Sequence, residues 1–150
     1  MLIKADLGCG LNKHGPDFVG VDSEASFKPD VVHDLTLGMP FTKDSVSEVC
    51  CSHFLEHIPS DKVIVLMNSM PDQCINGALI TIRVPLNFAD PSHKEILGYD
   101  WINWLVKSVP SSLVLMKYII ETMHTTSILA HEFGKPFSYE QATVIFKVMK

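Results

Sequence analysis

Apolar residues in this chain gather into strand-length runs, most of them in the first 84 positions. The pattern predicts strands at Leu2–Leu7, Phe18–Asp22, Asp30–His33, Glu48–Ser52 and Ala78–Val84, with longer ones at Leu113–Thr122 and Gln141–Met149. Two stretches have helical spacing instead. Val63, Ile64, Leu66 and Met67 predict a helix over Ser60–Met70, capped by Ser60 with Asp61 beside it. A second is predicted over Asp100–Val109, ending before Pro110. Asn76-Gly77 reads as the turn that launches the Ala78 strand. Met123–Tyr139, with His124 and His131, reads as a surface loop able to lid a pocket.

The early strands read as buried and parallel, yet Leu11–Asp17 and Ser23–Pro29 are short connections. A parallel crossover normally needs about ten to twelve residues. The expected fold class is therefore α/β: a Rossmann-like, doubly wound, mostly parallel sheet with reduced helices after the first strands. A sheet face stripped of helices must be buried, which predicts a homodimer or a partner subunit over it.

Composition narrows the class. A chain of 150 residues with 47% hydrophobic content fits one folded domain spanning 1–150. A net charge of −5 without a Lys/Arg cluster argues against direct nucleic-acid binding. Leu113–Ile120, interrupted by Lys117, is too short for a membrane span, and Met1-Leu2-Ile3-Lys4 followed by Asp6 does not read as a signal peptide. Cys9, Cys50, Cys51 and Cys74 form no CxxC pair and read as buried, reduced thiols of a cytoplasmic protein, with Cys50 and Cys51 pointing to opposite sheet faces. Trp101, Ile102, Trp104, Leu105 and Val106 make one helix strongly apolar, as core, subunit contact or aromatic substrate wall.

The chemistry gathers at one sheet edge. Asp6-Leu7-Gly8-Cys9-Gly10 ends the first strand in an acid and two close glycines, and Asp22 ends the second. Open α/β sheets bind ligands outside the carboxyl ends of their strands. A carboxylate at Asp22 accepts hydrogen bonds from two vicinal ribose hydroxyls, while Gly8 and Gly10 permit a sharp turn with amides free to meet a carboxylate. This is the pattern of a nucleoside-cofactor site.

These residues resemble the class I S-adenosylmethionine-dependent methyltransferases, specifically the small single-domain members, over roughly residues 2–104. Asp6–Gly10 resembles the glycine-rich first motif and Val19-Gly20-Val21-Asp22 the second-strand motif. Val32-His33-Asp34-Leu35 resembles the adenine-side motif. Pro40-Phe41 through Asp44-Ser45 to Cys51-Ser52-His53-Phe54-Leu55-Glu56-His57-Ile58 is similar to the fourth-strand block. Ile82-Arg83-Val84-Pro85 and Asp90-Pro91-Ser92-His93-Lys94 match the block after the fifth strand. The third glycine of the first motif is replaced by Asn12. The resemblance implies an antiparallel C-terminal strand and S-adenosylmethionine as cofactor, with S-adenosylhomocysteine as product. It places Asp6 at the cofactor's amino group, Gly8, Cys9 and Gly10 at its methionine part, Asp34 and the Leu35 amide at adenine, and Ser52 and His53 near the cofactor. Glu56, Asp90 and Lys94 would face the substrate, a small-molecule acceptor. His57 and His93 are candidate bases, since imidazole titrates near neutrality.

Other readings compete. A methyltransferase-fold binding or partner subunit without turnover suits the missing helices, because fold alone does not establish activity. His53-x-x-Glu56-His57 also has the H-x-x-E-H spacing of a zinc hydrolase, although Ile58-Pro59 stops the helix that chemistry needs. A dehydrogenase would require a complete G-x-G-x-x-G at the first turn, and none occurs.

Overall fold

The computed structural model describes residues 1–86, 118–132 and 135–150. Strands β1 (Ile3–Leu7), β2 (Val19–Asp22), β3 (Val31–Val32), β4 (Val46–Ser52), β5 (Cys74–Leu86), β6 (Tyr118–Glu132) and β7 (Lys135–Val148) form one sheet in the order β3-β2-β1-β4-β5-β7-β6. The first five are parallel, and β7 runs antiparallel to both β5 and β6. This is the expected mostly parallel, doubly wound sheet with an antiparallel C-terminal strand.

Cross-strand register explains the core. Ala5, Val49, Ile80 and Phe146 are aligned across four strands, and Leu7, Cys51, Ile82 and Val144 form the next row. All eight are fully buried. Helix α1 (Ser60–Gln73) covers this face with Val63, Leu66, Met67 and Met70, the stripe its helical spacing predicts. Pro59, rather than Ser60, occupies its N-cap position, and no side chain caps it. Proline's fixed φ suits the turn into a helix, which moves the boundary one residue earlier than a serine cap. At the other end, the Gln73 amide bridges the Phe41 amide (2.7 Å) and the Met39 carbonyl (2.8 Å), pinning a segment with no regular structure of its own.

Among the described residues, the opposite face mixes charged, polar and apolar side chains. Its rows are Lys4–Glu48–Leu79–Lys147 and Asp6–Cys50–Thr81–Ile145, with Arg83 opposite Thr143 beyond. Lys4 pairs with Glu48 at 3.2 Å and Asp17 at 2.9 Å, holding the Gly15–Phe18 turn against β1. Cys51 joins the core and Cys50 takes a contact from Arg83 on this second face, so the adjacent thiols do diverge. All four cysteines are buried and free.

Two expectations are corrected here. β5 begins at Cys74, so Asn76-Gly77 lies within the strand. The register slips between Val46↔Cys74 and Glu48↔Leu79, and Gly77 at φ +83° absorbs the bulge. Met123–Tyr139 is not a loop: it falls in β6 and β7, paired from Glu132↔Lys135 to Tyr118↔Val148. Threonine-rich sequence suits a strand as well as a surface. The predicted Asp100–Val109 helix with its Trp101–Val106 stripe, and the start of the Leu113–Thr122 strand, lie outside the described residues. No helix among the described residues is long and apolar enough to cross a membrane.

Candidate functional site

A cleft opens where β1, β2 and β4 end, in two lobes that share Gly8 and His53. One lobe, about 420 Å³, is lined by Asp6, Gly8, Cys9, Asn12, His14, Ser52 and His53. The other, about 370 Å³, adds Gly10, Asp22, Ser23, Glu24, Phe27, Phe54 and His57. Volumes of this order suit a small organic ligand.

The turn after β1 is built by its neighbours. Gly8 sits at φ +71°, and a Cβ there would lie 2.4 Å from the Phe54 ring, so glycine is required twice over. The Gly8 and Cys9 amides both donate to the Val21 carbonyl, and the Gly10 amide donates to Asp22 Oδ2 at 2.9 Å. The Gly8 and Gly10 amides were expected to meet a cofactor carboxylate; the structure commits them to Val21 and Asp22. Gly10, at φ +52°, has open space where its side chain would be, and this is where a ligand can come close to the backbone.

Asp22 accepts from Gly10 through one oxygen and from the Glu24 amide through the other, at 3.0 Å. A carboxylate has about four acceptor sites, so each oxygen retains one for a hydroxyl. Asp6 is only 4% exposed and accepts from the His14 amide at 2.7 Å. Burial pushes its pKa up, against the pull of the His14 amide. Burial also raises the Cys9 thiol, to about 11, which leaves it protonated and unreactive at neutral pH. Its sulfur lies over Gly20.

The segment after β4 carries the least expected geometry. His53 adopts a left-handed conformation (φ +54°), and its amide donates to the Arg83 carbonyl. Its ring is held on both sides: Nε2 is 2.9 Å from Gln141 Oε1 on β7, and Nδ1 is 3.5 Å from Glu56 Oε1. The Glu56 contact, chiefly, raises the imidazole pKa, with burial opposing it. Glu56 was expected to face the substrate. It is instead 1% exposed, turned inward behind His53 by the 3₁₀ turn Leu55–His57. That turn also keeps His53, Glu56 and His57 off a common helix face. Among the described residues no cluster of His, Cys, Asp or Glu suits a metal ion, and the zinc reading gains no support.

The remaining predicted residues scatter. Asp34 caps the 3₁₀ turn Leu35–Leu37 through the Thr36 amide, and Leu35 is buried in the core, both away from the lobes. His93, Asp90 and Lys94 lie outside the described residues. The sequence reading missed Phe27, an isolated aromatic among polar neighbours, and Gln141, which is far from the site in sequence. It also missed Asn12 and His14, which lie in the connection where a helix is lacking.

No family model and no curated protein sequence matches this chain. Solved structures do. An S-adenosylmethionine-dependent methyltransferase from Archaeoglobus fulgidus is 16% identical, with TM-score 0.69 over 97% of this chain and 86% of its own. Another, from Methanosarcina mazei, is 11% identical, with TM-score 0.69 over 97% and 91%. Identities this low speak for the fold alone. This chain has the class I methyltransferase fold.

Proposed function

We propose that the protein binds S-adenosylmethionine in the two-lobed cleft and transfers its methyl group to a small-molecule acceptor. One observation carries the reading: Asp22 ends β2 with acceptor sites to spare, directly across from the open space at Gly10, inside a methyltransferase-type sheet.

The residues present fit the cofactor. Asp22 takes the ribose hydroxyls, Phe27 offers the same lobe an aromatic surface, and buried Asp6 with Asn12 supplies polar groups to the other lobe. When bound, the cofactor supplies a methyl group already activated by its sulfonium, for displacement in line. The chain's task is therefore to hold donor and acceptor in line and to exclude water. His53 stands where the lobes meet and His57 lines the ribose side, so both are available to move a proton. Ser52 lines the first lobe beside them.

A second reading, a cofactor-binding or partner subunit without turnover, is favoured by the turn amides already committed to Val21 and Asp22. Calorimetric titration with S-adenosylmethionine and S-adenosylhomocysteine, with Asp22→Ala in parallel, tests both readings. Binding lost in the variant supports the assigned site. Binding without methylation across an acceptor screen supports the second reading, and no binding to the folded protein overturns the first.

A further inference from the structure

Glu56 is a carboxylate with 1% exposure and, among the described residues, no hydrogen-bond partner on either oxygen. A buried carboxyl group without hydrogen-bond partners calls for a physical reason. The His53 ring is its ion-pair partner among the described residues, with Nδ1 3.5 Å from Oε1. The far side of that ring meets Gln141 Oε1 at 2.9 Å. An imidazole with both nitrogens protonated has an acceptor facing each of them here. Its side chain stays 37% exposed, and it is one of the two residues shared by both lobes of the cleft.

We propose that Glu56 is a positioning residue acting through His53. It holds a proton on Nδ1, so that Nε2 is the nitrogen that accepts a proton from a protic methyl acceptor, a hydroxyl or an amine. This rests on the methyltransferase reading above. The acceptor's oxygen or nitrogen forms its new bond to the methyl carbon, the carbon–sulfur bonding pair leaves on sulfur, and the acceptor's proton passes to Nε2. From there it is released to water.

Gln141 suits both states of the ring. Its carbonyl accepts from protonated Nε2 once the proton has arrived, and its side chain turns aside to let the methyl acceptor reach the single lone pair of the bare nitrogen. In the observed contact Oε1 faces Nε2, the arrangement in which Nε2 carries a proton. Other charges bear on the ring as well: Arg83 on β5 opposes protonation, while Asp6 on β1 lines the same lobe. His57 lines the other lobe, on the same segment as Glu56. The arrangement is that of a carboxylate behind an imidazole, where the acid fixes tautomer and orientation.

The test is nitrogen NMR of the histidine rings through a pH titration, on wild type, Glu56→Gln and Gln141→Ala, with thermal melts to confirm folding. In wild type the His53 midpoint should lie above the ordinary imidazole range, and the neutral ring should keep its proton on Nδ1. In Glu56→Gln the midpoint should fall and the Nδ1 preference weaken. Gln141→Ala should lower the midpoint less and leave the Nδ1 tautomer in place. A neutral wild-type ring protonated on Nε2, or a midpoint unmoved in folded Glu56→Gln, overturns the proposal. If Glu56→Gln fails to fold, the wild-type tautomer alone decides. S-adenosylhomocysteine calorimetry on the same samples separates the two failures. Wild type that does not bind overturns the methyltransferase reading and the relay with it, whereas binding with the wrong tautomer overturns the relay only.

Discussion

β5, β7 and β6 run for 13, 14 and 15 residues, whereas β1, β2 and β3 run for 5, 4 and 2. The long wing is held by continuous backbone ladders and fully buried rows such as Ile80–Phe146 and Ile82–Val144. The short wing has only turns and the short 3₁₀ helix Ala25–Phe27 between its strands, and carboxylates stand in for longer helices. Asp6 takes the His14 amide, Asp22 those of Gly10 and Glu24, Asp30 that of Gly20, and Asp34 that of Thr36. Loop amides that a helix would satisfy internally are satisfied here one by one, by side chains. Stability resides in one wing and ligand geometry in the other.

The sharpest test of that division removes Phe146 from the long wing. Phe146→Ala should cost about 3–5 kcal/mol, read as a shift in the urea midpoint, because its fully buried ring aligns with Ile80. A loss below about 1 kcal/mol would break the comparison. Gly8→Ala comes next, at about 3 kcal/mol, since the new methyl group meets Phe54 in an unfavourable backbone region. Gly10→Ala separates fold from site within one turn. It should cost only about 1 kcal/mol of stability, as nothing stands within 4 Å of the new atom, yet weaken S-adenosylhomocysteine binding in calorimetry. Equal losses of stability at Gly8 and Gly10 would contradict the packing.

Asp30→Ala should cost about 1 kcal/mol, because one oxygen serves both Lys13 and the Gly20 amide at 2.7 Å. Amide exchange should place the damage at β2 and β3 rather than β5 and β7. The smallest effect comes from pH. The Lys13 contact holds Asp30 below the usual carboxyl range, and the Thr36 and Ser26 contacts do the same for Asp34 and Glu24. Their folded pKa values lie below the unfolded ones, so the stabilisation is complete above the unfolded range and lost as pH falls through the folded values. Asp6 has the opposite sign: burial raises its pKa, and acid relieves it. Acidification below about pH 4 should therefore expose the Gly20, Ser26 and Thr36 amides before those of β5. Uniform loss of protection would refute the division.

The sequence displayed what repeats or is strongly apolar: the parallel strands, the α1 stripe, and the acids and glycines at the ends of β1 and β2. Each of these depends on residues near one another in the chain. It did not display Gln141 beside His53, because that contact depends on the register of a strand 88 positions away. Nor did it show Glu56 turned inward, since one left-handed residue, His53, and a 3₁₀ turn set the direction of that side chain. The Met123–Tyr139 segment is threonine- and histidine-rich, and only pairing with its hairpin partner makes it a strand.

The bond from Gln141 to His53 also bears on how the molecule comes to life. During synthesis β1, β2 and β4 emerge first, and with them almost every residue that lines the cleft. β7, which emerges after them, both closes the ladder along β5 and brings the amide that grips the His53 ring. A nascent chain halted before residue 141 would carry the cofactor-side residues but lack the Gln141 contact to that imidazole. Emergence of β7 thus doubles as a checkpoint on the site, and misregistered pairing of the β6–β7 hairpin would leave the cleft unfinished.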